Sequence, residues 1–182
     1  MGQEISDEKI ASLQVADAGE ATYQKALHFL SFRPRSIQEV RQNLTKRGSD
    51  QILIEETINR LQQAGLVNDD EFARAWVENR NAFRPRSKSA LRMELRSKGL
   101  GDETIQSVLD EIKDEQGLAL DAARRQAHHY ADMGRPEFRQ KLAGFLARRG
   151  FSYSTLAPVI SEVWDELQAV ETGRNSEPEE EK

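Results

Sequence analysis

The chain has 182 residues, room for one or two ordinary domains or for a short array of repeats. Hydrophobic residues make up 37% of it and charged residues 31%, a balance that favours slim helical layers over one thick core. Its net charge of −5 resides in the ends: residues 1–21 and 171–182 together hold three basic and ten acidic side chains, leaving 23 basic and 21 acidic in the body.

Residues 1–21 form an N-terminal arm. Ile5, Ile10 and Leu13 fit one face of a short helix capped by Ser6, and a mobile arm fits equally well. A first repeat then spans 22–67. Tyr23, Ala26, Leu27 and Leu30 recur at helical spacing, and Pro34 ends that helix by disfavouring the α conformation at the residue before it. Ser36-Ile37-Gln38-Glu39 has the capping-box pattern of a second helix, which buries Ile37, Val40 and Leu44 and stops at Gly48. Ser49 or Asp50 opens a third helix carrying Ile54, Ile58 and Leu61 inward, and Gly65 stops it.

The second repeat spans 68–117. Asn68-Asp69-Asp70-Glu71 places acid at a helix start, where the macrodipole favours it. Phe72, Ala75, Trp76 and either Val77 or Asn79 are expected to line that helix. Ser87 caps the next, with Leu91 and Leu95 inward and Gly99 at its end. Asp102 caps the last, with Ile105, Leu109 and Ile112 inward. The third repeat spans 118–170, with Ala123, Ala127 and Tyr130 on its first helix, Leu142, Leu146 and Gly150 on its second, and Leu156, Ile160 and Val163 on its third. Pro158 falls just past the first turn of that last helix. The acidic segment 171–182 is expected to be a disordered tail.

These units are copies. Phe32-Arg33-Pro34-Arg35-Ser36 returns 51 residues later as Phe83-Arg84-Pro85-Arg86-Ser87, and another step of 51 reaches Arg135-Pro136. The same step relates Gly48, Gly99 and Gly150, and it relates five aliphatic trios, among them Leu44/Leu95/Leu146 and Ile54/Ile105/Leu156. A repeat held in phase three times predicts an all-α protein of three tandem three-helix, helix-turn-helix-like units in an elongated, curved array.

The order Ala26-Leu27-x-x-Leu30, Ser36-x-x-Glu39-Val40, Leu61-x-x-x-Gly65-Leu66-Val67-Asn68-Asp69-x-x-Phe72-Ala73, and Arg80 ahead of Leu91-x-x-x-Leu95-Arg96-x-Lys98-Gly99 resembles the RecX family of bacterial regulators of the RecA recombinase. The resemblance implies a non-catalytic protein of DNA repair, recombination and the SOS response. Such a protein lodges in the groove of the RecA–DNA filament and mainly inhibits ATP hydrolysis, strand exchange and co-protease function. Partners implied are the RecA filament and the DNA within it, with no cofactor and no membrane.

The absence of cysteine excludes disulfides, thiolate catalysis and thiolate-held zinc and fits a reducing, cytoplasmic setting. No apolar run is long enough to span a bilayer, and the first residues lack the basic and apolar regions of a secretory signal. No carboxylate pair, phosphate loop or nucleophile elbow marks an enzyme. His128 and His129 are adjacent, so on a helix they diverge and cannot share a metal. Phe72, Trp76 and Trp164 are expected in the core, and Phe32 and Phe83 are expected to pack the helix junctions.

The candidate contact surface is basic. Arg80, Arg84, Arg86, Lys88, Arg92, Arg96 and Lys98 face one acid, Glu94, within 80–98. Lys88, Arg92 and Arg96 are spaced by four and form one helical stripe. That imbalance favours contact with phosphate or an acidic protein surface over a merely solvated face. Arg33, Arg35, Arg41, Lys46 and Arg47, and then Arg135, Arg139, Lys141, Arg148 and Arg149, are weaker clusters in the outer repeats. A rival reading is a helix-turn-helix DNA-binding protein. Its groove-entering third helices would carry Glu55, Glu56, Glu103, Asp110 and Glu111, which repel phosphate, so duplex reading is disfavoured.

Overall fold

A computed structural model describes residues 7–174, and among these the regular structure is entirely helical. The helices are α1 (Asp7–Leu30), α2 (Ile37–Lys46), α3 (Gln51–Gln63), α4 (Asp69–Phe83), α5 (Lys88–Ser97), α6 (Asp102–Asp110), α7 (Glu115–Ala127), α8 (Arg135–Arg148) and α9 (Tyr153–Arg174), with a 3-10 turn at His128–Tyr130. None is long and apolar enough to cross a membrane. Ile5 and Ser6 of the expected arm helix, and residues 175–182 of the expected tail, lie outside the described residues.

The 51-residue period is a period of burial. Val40, Leu91 and Leu142 are buried, as are Leu44, Leu95 and Leu146, and so is every member of the other three trios. Each such side chain contributes about 1.5–3 kcal/mol when fully removed from water, so the repeat is a repeated small core. The chain divides into two compact units: residues up to Ala75 with Leu95–Ile105, and Trp76–Glu94 with Gln106 onward. In the first unit α1, α2 and α3 pack pairwise around Tyr23, Ala26, Val40, Leu44, Ile54, Ile58, Leu61 and Val67. In the second unit α7, α8 and α9 enclose Ala119, Ala123, Phe138, Leu142, Leu146, Val159 and Val163.

Local sequence sets most helix ends. Ser36 and Glu39 form the reciprocal capping box of α2, at 3.2 Å from the Glu39 amide to Ser36 Oγ and 3.3 Å from the Ser36 amide to Glu39 Oε2. Asp50 accepts from the Ile52 amide at 2.8 Å, and Asn68 from the Asp70 amide at 2.9 Å. Ser87 accepts from the Ala90 amide at 3.1 Å.

Several elements differ from expectation. Helix α1 runs without a break through Thr22, so arm and first repeat share one helix; the buried Thr22 hydroxyl is satisfied by donating back to the Ala18 carbonyl at 2.8 Å. Asp102 is the first residue of α6 and not its cap: Gly101 precedes the helix and accepts from the Ile105 amide. Pro136 opens α8 instead of closing α7, since its fixed φ and missing amide suit a first turn. Helix α9 runs on to Arg174, into the segment expected to be a tail. Pro158 lies inside α9 on its exposed side, where water can take up the carbonyl it leaves unpaired. On α4, Ala73 and Val77 are buried, whereas Ala75 and Asn79 are exposed.

The aromatic expectations divide. Phe72 is buried, and Trp164 is partly buried against the Phe138 ring at a centroid distance of 5.0 Å. Trp76 is only half-buried, and its indole N–H donates to the Glu94 carboxylate. Phe32 and Phe83 are 69% and 74% exposed. The buried positions of those two junctions belong to Ser36 and Ser87, whose polar groups are satisfied there, and the rings turn to solvent.

Candidate basic interface

Of the basic residues between Arg80 and Lys98, two in the second unit, Arg80 and Arg86, gather at Glu94. Glu94 accepts from Trp76 Nε1 at 2.7 Å and from Arg80 Nε at 2.8 Å, and it lies 2.9 Å from Arg86 Nε. Arg80 also stacks on the Trp76 ring, 4.6 Å from its centroid. Arg80 and Arg86 are therefore partly committed to holding α4 to α5. Arg84 is exposed, and Arg84 and the Lys88 side chain make no ion pair among the described residues. Arg92 donates to Gln106 at 2.7 Å, a contact that leaves its charge uncompensated.

The remaining two belong to the first unit. Arg96 pairs with Asp102 at 2.9 Å, and both side chains are more than half exposed. Lys98 pairs with Glu39 at 2.9 Å, and Glu39 also binds Arg33 at 2.9 Å. Burial works against the charged form of Glu39. The hydrogen bonds and charges of Arg33 and Lys98 outweigh it and hold the carboxyl at about 2.

The outer clusters are more fully engaged. Arg35 stacks on Phe29 at 4.1 Å, and Arg41 binds Glu55 at 2.8 Å. Lys46 and Arg47 are exposed. In the third repeat Arg139 reaches the Tyr153 hydroxyl at 3.3 Å, while Arg135, Lys141 and Arg148 are exposed. Arg149 stacks on Phe145 at 4.3 Å and donates to the Pro85 carbonyl at 3.3 Å. It therefore sits with the second pentapeptide and not with its own repeat's cluster.

That placement follows from how each repeat seats the next. In the first unit the Ser36 hydroxyl donates to the Lys98 carbonyl at 2.7 Å, and the Ile37 amide donates to Asp69 at 2.9 Å. Burial is the main cause that raises the Asp69 carboxyl above the usual range. In the second unit the Ser87 amide donates to the Arg149 carbonyl at 3.1 Å, and the Lys88 amide to Glu115 at 2.8 Å. The glycines ending α5 and α8 complete the joints. Gly99 and Gly150 have φ of 79° and 86°. A Cβ on Gly99 would strike Gln38 Cβ and Cγ, and one on Gly150 would come within 2.5 Å of Ser87 Oγ. Gly48 has the same left-handed φ, 74°, with open space around it. The pentapeptide is thus the seat for the following repeat. Sequence reasoning missed this role and, by ending the second repeat at 117, left Glu115 out of the third; Asp69 and Glu115 are the first residues of α4 and α7.

Three consecutive three-helix modules, with basic side chains clustered at their joints, define a helical-repeat protein. Comparison with known proteins makes the class specific. Family models described as the first, second and third three-helix domains of RecX match residues 23–61, 68–109 and 114–159. The chain is 34% identical over 159 residues to the regulatory protein RecX of Amycolatopsis mediterranei, covering 84% of this chain and 91% of that one. It is 31% identical over 182 residues to the RecX of Bacillus pumilus, covering 99% of this chain and 66% of that longer protein. The crystal structure of RecX from Lactobacillus salivarius superposes with a TM-score of 0.70 at 25% identity, over 81% of this chain and 97% of that one. The chain belongs to the RecX family of regulatory proteins.

Proposed function

We propose that this protein binds the RecA–DNA filament in its groove and slows ATP hydrolysis, with strand exchange and co-protease activity falling as a consequence. Membership of the RecX family over all three modules is the observation that carries the reading. The basic residues support it. Arg84, Lys88, Arg92 and Arg96 present charge that internal carboxylates leave uncompensated or hold only through an exposed pair. Such charge suits a polyanionic partner, whether DNA phosphate or an acidic protein face. The protein acts by binding, without chemistry of its own, in the cytoplasm where recombination takes place.

The helix-turn-helix alternative gains no support. The third helices α3 and α6 present exposed Glu56 and Glu103, and the basic neighbours Arg41 and Arg96 are taken up by carboxylates of those same helices, Glu55 and Asp102. The test is ATP hydrolysis by RecA filaments preassembled on single-stranded DNA, with co-sedimentation in parallel. Slowing at or below stoichiometric protein, with the protein pelleting with filaments, is the expected result. Full ATPase activity at excess protein would overturn the reading.

A further inference from the structure

The period of 51 aligns Arg33 with Arg84, Lys98 with Arg149, and Glu39 with Ala90. In the first joint a carboxylate stands between the two cations: Glu39 lies 2.9 Å from both Arg33 and Lys98 and offsets one of their two charges. In the second joint the two cations persist and the carboxylate between them is replaced by a methyl group. Neither Arg84 nor Arg149 forms an ion pair with a carboxylate among the described residues.

A third guanidinium makes the imbalance larger. Arg86 precedes the same cap, and its carboxylate, Glu94, is shared with Arg80 and Trp76. Burial, then the positive charges of Arg86 and Arg84, push the Arg149 guanidinium below its ordinary pKa, so the three arginines feel one another. Arg149 is held in place by its stacking on Phe145 and its hydrogen bond to the Pro85 carbonyl. The other carboxylate at this joint, Glu115, takes the Lys88 amide, as Asp69 takes that of Ile37 in the first joint. It does not stand in for Glu39. Next to the cluster, Phe83 presents a ring that is 74% exposed.

We propose that Arg84, Arg86 and Arg149 form an anion site that takes a backbone phosphate of single-stranded DNA, with Phe83 as the platform on which an adjacent base stacks. Forked guanidinium donors match phosphate oxygens, and an exposed aromatic beside them requires a strand whose bases are unstacked. The first joint carries its own carboxylate at the equivalent place and has no such site. In choosing DNA as the strand, the proposal rests on the filament reading above; the site itself rests on the comparison of the joints.

Fluorescence anisotropy with a labelled oligothymidylate, across a salt series, tests it on the full chain. Ala90→Glu restores the missing carboxylate and is expected to weaken binding at least about tenfold, with the log–log salt slope falling by about 0.7 for each phosphate no longer neutralised. Gly150 packs against Ala90, so Glu needs a local shift to fit there, and exposed Arg84→Ala provides a second route to the same weakening. Glu39→Ala removes the carboxylate that lies between Arg33 and Lys98 and is expected to tighten binding. Phe83→Ala is expected to weaken binding with the salt slope unchanged. Circular dichroism checks that each variant keeps its helices. Unchanged affinity and slope in both Ala90→Glu and Arg84→Ala would overturn the proposal, as would polyglutamate competing better than oligothymidylate of equal charge. If filament ATPase is slowed while these two variants bind the oligonucleotide normally, the site fails and the filament reading stands. If the variants lose oligonucleotide binding while wild-type protein leaves the ATPase untouched, the site stands and the filament reading fails.

Discussion

Glu94 shows how one residue decides what its neighbours are for. It gathers the Trp76 indole, Arg80 and Arg86, and its own side chain is only 18% exposed. Arg80 is thereby turned into a structural part, and Arg86 is held in place while its charge is only shared. Removing the carboxylate would leave two half-buried cations and an indole N–H short of an acceptor. Hydrogen bonds to charged groups contribute about 1.5–3 kcal/mol. Glu94→Ala is therefore expected to lower stability by about 2 kcal/mol in urea denaturation, whereas the exposed ring of Phe83 should tolerate Phe83→Ser within about 0.5 kcal/mol. A smaller loss for Glu94→Ala than for Phe83→Ser would refute this division of labour.

At the scale of the element, the repeated Phe-Arg-Pro-Arg-Ser is a helix start that also receives the next repeat. Ser36 caps α2 and donates to the Lys98 carbonyl, so its hydroxyl serves two elements. Glu39 closes the same box and holds Arg33 and Lys98. Its folded pKa, about 2, is depressed below the roughly 4.3 of a free Glu. The stability this contributes is fully present above the unfolded value and is lost as pH falls from about 4.3 towards 2. Glu39→Gln should flatten the urea midpoint across that window relative to wild type; parallel curves would show that the ion pairs contribute nothing. The glycines separate conformation from contact. Gly48→Ala meets only the left-handed backbone, a cost of about 1–2 kcal/mol. Gly99→Ala meets that and Gln38 as well, and overpacking adds about 1–3 kcal/mol. Thermal melts that rank Gly99→Ala as the milder change would contradict the seat.

At the scale of the whole molecule, the tails carry most of the acid excess, and the near-neutral body concentrates its uncompensated charge on α5 and at the second joint. Reversing Lys88, Arg92 and Arg96 together to Glu removes one helix face of that charge. Lys88 has no ion pair among the described residues, Arg92 has a neutral partner, and Arg96 has a single exposed one. Exposed pairs contribute at most about 1 kcal/mol. The triple variant is expected to keep wild-type helicity and to pellet with RecA filaments at least about tenfold less well at physiological salt. Undiminished co-sedimentation would show that this face is only solvated surface.

The period of 51 was enough to place the second and third helices of each repeat and their buried trios, because a thin three-helix layer has few ways to hide Leu44, Leu95 and Leu146 and one good way to stop at Gly48, Gly99 and Gly150. Caps at Ser36 and Ser87, and at Asp50 as one of two candidates, were equally legible, since capping is a local exchange of amide and side-chain oxygen. Tertiary contact alone decided which charges are spent. Arg80 and Arg84 differ by four residues, yet one is bound to Glu94 and the other stands clear, because a carboxylate's reach depends on what the fold brings beside it. The same cause moved Arg149 from its own repeat's cluster to the Pro85 carbonyl of the preceding one. Phe32 and Phe83 turned to solvent for the corresponding reason: the joint's interior was already filled by a serine and by the backbone of the next repeat.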